Sequence, residues 1–285
     1  MALPLSRRAA LFALGSTVLL GSCTIASDGK NTPDSASASE GALKTVTPGK
    51  LTIATGEPAY SPWVENNDPA SGKGFEAAVA YAVAGKLGFA NADVVWVRST
   101  FDAAVAPGAK DWDFNLQQFS ITEERRNAVD FSSPYYTTAQ AVVTLKGSPV
   151  SGATTVAELK GALLGAQTGT TSHRMLTETV APTTAPSVFN NSQDTVQALK
   201  GGQVDAIVVD LPTALYLVAA ELDGGVVVGQ FADTSGGDQF GLVLPKGSPL
   251  TAAVTGAVDT LRADGTLDSL TKTWLSETVN VPVLS

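Results

Sequence analysis

"FNLQQFSITEERRNAVDF" spans residues 114–131 and decides how the rest of the chain is read. Its first half, with Phe114 and Leu116 apolar and Asn115 and Gln117 polar, reads as a strand that ends near Gln118. Thr122 then stands where a helix N-cap belongs, ahead of Glu123, Glu124, Arg125 and Arg126. Arg125 falls about one turn into that helix and shares a face with Ala128 and Val129, which turns it inward. Arg126 is four residues from Asp130, so the two form a surface pair if the helix continues that far. An inward guanidinium must meet an anion. The spacing therefore points Arg125 at a carboxylate that the chain itself does not supply.

Other segments alternate in the same way. "LTIAT" (51–55), "VVWV" (94–97), "AVVTL" (141–145), "LLGAQ" (163–167) and "AIVVD" (206–210) read as strands. "FEAAVAYAVAGKLG" (75–88) carries apolar residues at helical spacing and stops on Gly88. Thr155 and Glu158 form a capping box, Ser192 is an N-cap candidate, and Ser248–Pro249 opens a helix that closes on Gly265. Strands alternating with helices imply an α/β fold with mostly parallel sheets. In such sheets a ligand lies beyond the carboxyl ends of the strands. The residues there are Glu57, Tyr60 and Trp63 after the first strand, and Arg98, Ser99 and Phe101 after the second. Ser120 and Arg125 follow the third, "TGTTS" (168–172) follows "LLGAQ", and Asp210 ends "AIVVD". One guanidinium, one acid, hydroxyls, aromatics and a glycine turn opening a helix suit a zwitterion. Trp63, Trp96 and Trp112 read as packing and His173 as surface. No lysine follows the glycine of "TGTTS" in the pattern of a phosphate-binding loop.

The chain has 285 residues, 44% of them hydrophobic and 16% charged, with a net charge of −9. That is enough for one large or two modest domains. The acidic balance argues against nucleic acid, and one Cys with one His argues against disulfides and multi-ligand metal sites. No motif calls for a cofactor. Residues 1–22 have Arg7 and Arg8, an apolar run from Ala9 to Leu20 and then small residues, the pattern of a secretory signal peptide. "LLGSC" resembles a bacterial lipobox, which implies cleavage before Cys23 and acylation (palmitate among the chains) of Cys23. Residues 23–49 are rich in Ser, Ala, Thr, Asp and Gly and read as a flexible tether.

Four blocks in order, "GFEAAVAYAVAGKLG", "SITEERRNAVDFSSPYY", "DAIVVDLPTALY" and "LRADGTLDSLTKTWL", resemble the extracytoplasmic solute-binding proteins of polar amino-acid ABC transporters, solute-binding family 3. The likeness runs from about Leu51 to Leu275. It implies the type II periplasmic-binding fold: two α/β lobes, two crossover hinge strands and a ligand cleft between the lobes. Crossings are expected near 137–140 and 237–240, giving one lobe of 50–138 plus 241–285 and another of 139–240. The sequence departs from the family at Ala78, where a second acid is usual, and at "NLQQF", which replaces small residues before Ser120.

The resemblance also assigns roles. Arg125 matches the arginine that holds the ligand carboxylate, with Ser120, the backbone after Gln118, and Thr171 from the other lobe. Asp210 matches the aspartate that takes the α-ammonium, and as a favoured N-cap residue it can also cap its own helix. Tyr60 and Phe101 match aromatics that sandwich the side chain, and Glu57 an acid that reaches it. Glu57 suggests a basic ligand, whereas Gln117 and Gln118 suit glutamine or another neutral polar one. The implied protein is a monomeric, lipid-anchored binding subunit on the outer face of the cell membrane, handing an amino acid to permease subunits. A dehydratase-like enzyme on the same scaffold and an amino-acid sensor are the alternatives, and the motifs do not demand a catalytic residue.

Overall fold

A computed structural model describes residues 43–232, 237–275 and 281–285. The expected signal peptide, Cys23 and most of the tether lie outside these residues. The last part of that tether is not free. Leu43 packs on the first core, and the Val46 amide donates to Asp113 Oδ1 at 2.8 Å.

Four strands come first: β1 (Leu51–Thr55), β2 (Val94–Arg98), β3 (Phe114–Asn115) and β4 (Val129–Phe131). β5 (Tyr136–Thr138) leads out of this lobe into β6 (Gln140–Leu145), β7 (Leu164–Gln167), β8 (Ser187–Phe189), β9 (Ala206–Asp210) and β10 (Gly225–Phe231). β11 (Asp238–Phe240) leads back to β12 (Val243–Pro245), and β13 (Val283–Leu284) lies near the C-terminal end. The first sheet has the order β2-β1-β3-β12-β4 and the second β13-β10-β6-β9-β7-β8. β13 runs parallel to β10, so the chain's last residues return to the second sheet instead of staying with the first lobe as expected. Two residues of strand carry no periodicity from which this return could be read.

Both sheets are mixed where mostly parallel ones were expected. β1 pairs parallel with β2 and β3, but β12 runs antiparallel to β3 and β4. In the second sheet β6 is antiparallel to both β9 and β10. The reversed strands β6 and β12 are the ones entered directly from a crossing segment, without a covering helix to turn the chain round. β5 and β11 themselves pair antiparallel, Tyr136 with Phe240 and Thr138 with Asp238, and form the link between the lobes.

The helices are α1 (Phe75–Lys86), α2 (Phe101–Val105), α3 (Glu123–Arg126), α4 (Thr171–Arg174), α5 (Ser192–Lys200), α6 (Leu211–Tyr216), α7 (Thr251–Ala263) and α8 (Thr266–Trp274). α1 buries Phe75, Val79, Ala80, Val83 and Ala84 in one core with β1, α7 and α8. Gly74 makes that docking possible. Its φ is +100°, and a Cβ there would sit 2.5 Å from the Trp63 carbonyl oxygen. In the second lobe the strand period of two sorts side chains to opposite faces. Val142 and Val208 enter one core, while Ala141, Val143 and Ile207 enter the other. Asn191, one residue before the expected Ser192, caps α5 by accepting from the Asp194 amide at 2.8 Å. Ser248 and Pro249 belong to a turn, and α7 starts only at Thr251. The Thr155–Glu158 capping box is present as read.

The hinge strands are fastened to the first lobe by aromatic packing. Trp63 meets Phe240 at 5.7 Å between ring centroids, and Phe75 meets Tyr136 at 5.3 Å. The loop before Arg125 is tied to the same place, with Ile121 N–H donating to Gln239 O at 2.7 Å and Gly241 N–H to Phe119 O at 3.0 Å.

Candidate functional site

A cleft of about 240 Å³ lies between the two lobes. Glu57, Tyr60, Phe101, Gln118, Ser120 and Arg125 line it from the first lobe, and Thr171 and Asp210 from the second. The structure thus brings these eight side chains to one cleft, whereas Arg98, also placed at a strand end from the sequence, is not among the lining residues and Cys23 lies outside the described residues.

Arg125 is set by local chemistry. Thr122 Oγ1 accepts from the Arg125 amide at 3.2 Å and caps α3. α3 is a single turn, so the side chain folds back and Nη1 donates to Ser120 O at 2.6 Å. Nη2 donates across the cleft to Gly169 O at 2.9 Å, and the guanidinium lies 5.2 Å from the Phe101 ring centre. Phe101 is itself backed by Phe119 at 4.8 Å. Burial lowers the Arg125 pKa, and the carboxylates of Asp238 and Asp210 oppose that shift. Because α3 stops at Arg126, the expected Arg126–Asp130 pair does not form. Arg126 lies 3.6 Å from Glu123, and Asp130 pairs with Lys246 at 3.2 Å.

Across the cleft, β7 ends in a turn at Gly169, whose φ of +70° favours glycine, and α4 follows. Thr171 Oγ1 lies 3.2 Å from Ser120 Oγ and donates to Asp238 Oδ2 at 2.8 Å. Gln140, opposite Asp210 in the β6–β9 register, connects these groups. Its Nε2 donates to Asp210 Oδ1 and to Asp238 Oδ2, both at 2.6 Å, and its Oε1 accepts from Ser172 Oγ at 2.5 Å. Asp210 precedes α6 but makes no capping bond, so the second role expected of it is absent. Its oxygen goes to Gln140 instead. Burial, reinforced by Asp238, pushes the Asp210 pKa up to about 8, against the Gln140 hydrogen bond.

"FNLQQ" leaves the strand after Asn115, short of the expected end near Gln118, and a buried acid on α1 draws it away. Glu76, 1% exposed in the first turn of α1, accepts from Gln118 N–H at 2.7 Å, from Gln118 Nε2 and from the Tyr135 hydroxyl. These bonds hold Gln118 at φ +51°, outside strand geometry. Burial raises the Glu76 pKa to about 7. Gln140, Asp238 and Glu76 had only weak signals in the sequence: single polar residues beside apolar runs. Trp63, read as packing, does pack, but its indole N–H also donates to Thr213 Oγ1 in the second lobe at 2.9 Å. Tyr60 reaches across as well, its hydroxyl accepting from the Gln193 amide at 3.3 Å. Glu57 sits at the rim, 3.2 Å from Arg98 Nε and accepting from Asn67 Nδ2 at 2.9 Å.

Comparison with known proteins agrees with this architecture. Residues 51–277 match the bacterial extracellular solute-binding proteins, family 3. A probable histidine-binding protein of Campylobacter jejuni is 29% identical over 230 residues, covering 78% of this chain and 84% of its own. The L-cystine-binding protein TcyJ of Escherichia coli K12 is 29% identical over 244 residues, covering 85% and 89%. Among solved structures, an ancestral arginine-binding protein bound to arginine superposes with a TM-score of 0.67 at 32% identity, covering 80% of this chain and 99% of that one.

Proposed function

Because the chain belongs to the bacterial extracellular solute-binding proteins of family 3, we propose that it is the substrate-binding subunit of an ABC importer for a free polar amino acid. One observation carries this reading. Arg125 and Asp210 face one cleft from opposite lobes, a fixed cation and a buried acid placed for an α-carboxylate and an α-ammonium. Ser120 and Thr171, their hydroxyls 3.2 Å apart, lie at the carboxylate end, where Thr171 gives its one proton to Asp238 Oδ2 and Ser120 is the donor that turns to the ligand. Tyr60 and Phe101 supply the aromatic walls for the side chain.

A ligand touching both lobes favours the closed arrangement by its differential affinity for it. Direct bonds across the cleft, Arg125 to Gly169 and Trp63 to Thr213, support that arrangement. The β5–β11 ribbon is the segment about which the lobes would move. The closed form then docks on permease subunits. An enzyme would need a general acid or base free to reach the ligand. Of the acids lining the cleft, Glu57 pairs with Arg98, Glu76 is held by Tyr135 and Gln118, and Asp210 is the one assigned to the ligand ammonium. Binding without turnover is therefore the reading the geometry favours. Scanning the twenty amino acids by thermal unfolding tests it, because a ligand of the folded state raises the melting temperature by mass action. Failure of every amino acid to do so would remove the proposal. The anchor belongs to the same reading. Radiolabelled palmitate should enter the wild type and not Cys23→Ala, and equal labelling of both would exclude lipidation there.

A further inference from the structure

The α-group end of the cleft leaves open which side chain the other end accepts. That end lies between the loop after β1, with Glu57, and the start of α5, with Asn190 just before it and Ser192 in its first turn. A cationic side chain is recognised there by a carboxylate free to pair with it, because charge-assisted hydrogen bonds are the stronger ones. Besides Asp210, the cleft is lined by the acids Glu76 and Glu57. Glu76 is closed off by Tyr135 and Gln118. Glu57 is compensated by Arg98, and Arg98 is not a loose surface contact. Its Nη1 donates to Gly56 O at 2.6 Å and Asn67 Oδ1 at 2.7 Å, and its Nη2 to Asn67 O at 2.7 Å. The Glu57–Arg98 pair is thus part of the framework of the loop that bears it.

The remaining polar groups at this end are neutral. Gln117 spends Nε2 on Ser99 O at 3.2 Å and Asn115 Oδ1 at 3.0 Å, which leaves Oε1 as its acceptor toward the cleft. Gln167 spends Oε1 on Ser192 Oγ at 2.9 Å, which leaves Nε2 as a donor. One acceptor and one donor complement a carboxamide, which carries one of each. We infer that the side-chain end of this cleft takes an uncharged group of the carboxamide class, so that the ligand is a neutral amino acid such as glutamine and not arginine, lysine or ornithine. This rests on the amino-acid reading above.

Calorimetric titration of the protein, freed of carried-over ligand by unfolding and refolding, tests the inference with glutamine, asparagine, arginine and lysine. Glutamine or asparagine should bind at least about tenfold tighter than either basic amino acid. Arginine or lysine binding as tightly or tighter overturns the inference and leaves the amino-acid reading intact. Binding of none of the four overturns the inference, and the scan of all twenty amino acids then decides the amino-acid reading separately. Arg98→Met supplies an independent readout by releasing the Glu57 charge. Loosening of the loop lowers both affinities together, so their ratio reports the charge alone. The arginine-to-glutamine affinity ratio should rise about tenfold, and an unchanged ratio overturns the role given to the pair.

Discussion

Replacing Arg125 with alanine lowers amino-acid affinity at least about a hundredfold and leaves the protein folded. Truncating one member of a desolvated, hydrogen-bonded charge pair costs about 2–5 kcal/mol, and each 1.4 kcal/mol is a factor of about ten in Kd. Two losses combine here. The ligand carboxylate loses its counter-charge, and the lobes lose the bond from Nη2 to Gly169 O that spans the cleft. The fold survives because the Thr122 cap accepts from the Arg125 backbone amide, which alanine keeps. Gly169 is exposed, and the space vacated beside Ser120 by the shorter side chain lets water reach the carbonyl there. Arg125→Lys does not rescue binding. A single ammonium cannot engage Ser120 O, Gly169 O and a carboxylate together as a planar guanidinium does. Calorimetry with the best ligand, alongside far-ultraviolet circular dichroism, measures both halves. An unchanged Kd in the alanine variant would sink the assignment of Arg125.

The same residues show what a sequence can and cannot disclose. The Thr122 cap before Arg125 was legible because it is local, but α3 ends at Arg126, so Arg125 shares no helical face with Ala128 and Val129, and its side chain turns back to Ser120 O instead. The places of Ser120, Thr171 and Asp210 were legible because each follows a recognisable strand, and strand ends in α/β folds converge. Gln140 and Asp238 were not, because their importance arises from contacts between residues 98 positions apart in the chain. Glu76 was hidden for a similar reason. An acid in the first turn of a helix ordinarily faces water and favours the positive helix end. Here α1 docks so tightly on Trp63 at Gly74 that the carboxyl is buried and reorganises Gln118. The misread end of "FNLQQ" follows directly, since strand periodicity says nothing about a distant acid that pulls two donors away from the ladder.

Ligand affinity should rise with pH between about 6 and 8, and the cause is Asp210. Its pKa in the folded chain is about 8, raised first by burial and then by Asp238, against an ordinary value of 3.8. A carboxyl whose pKa is raised by folding holds its proton in the native state after the unfolded chain has released it. It therefore stabilises the ligand-free protein fully below about 3.8, and that contribution is lost as pH rises through about 8. Glu76 acts in the same direction between its ordinary 4.5 and about 7. An ammonium beside Asp210 reverses the preference, because opposite charge favours the carboxylate. Binding must then expel the Asp210 proton when pH is below about 8, and the apparent affinity falls by up to about tenfold per pH unit as pH is lowered. Two measurements follow. The melting-temperature increase given by a saturating ligand should grow from pH 6 to pH 8 while the ligand-free melting temperature declines. Calorimetry at pH 7 in buffers of different ionisation enthalpy should register close to one proton released per ligand bound. Asp210→Asn should bind weakly and show neither effect, because an amide has no proton to lose. A wild-type affinity that stays flat across this range, with no proton release, would mean that Asp210 does not receive the ammonium. The charge on the second lobe would then have to be sought at Asp238, which shares the Gln140 amide.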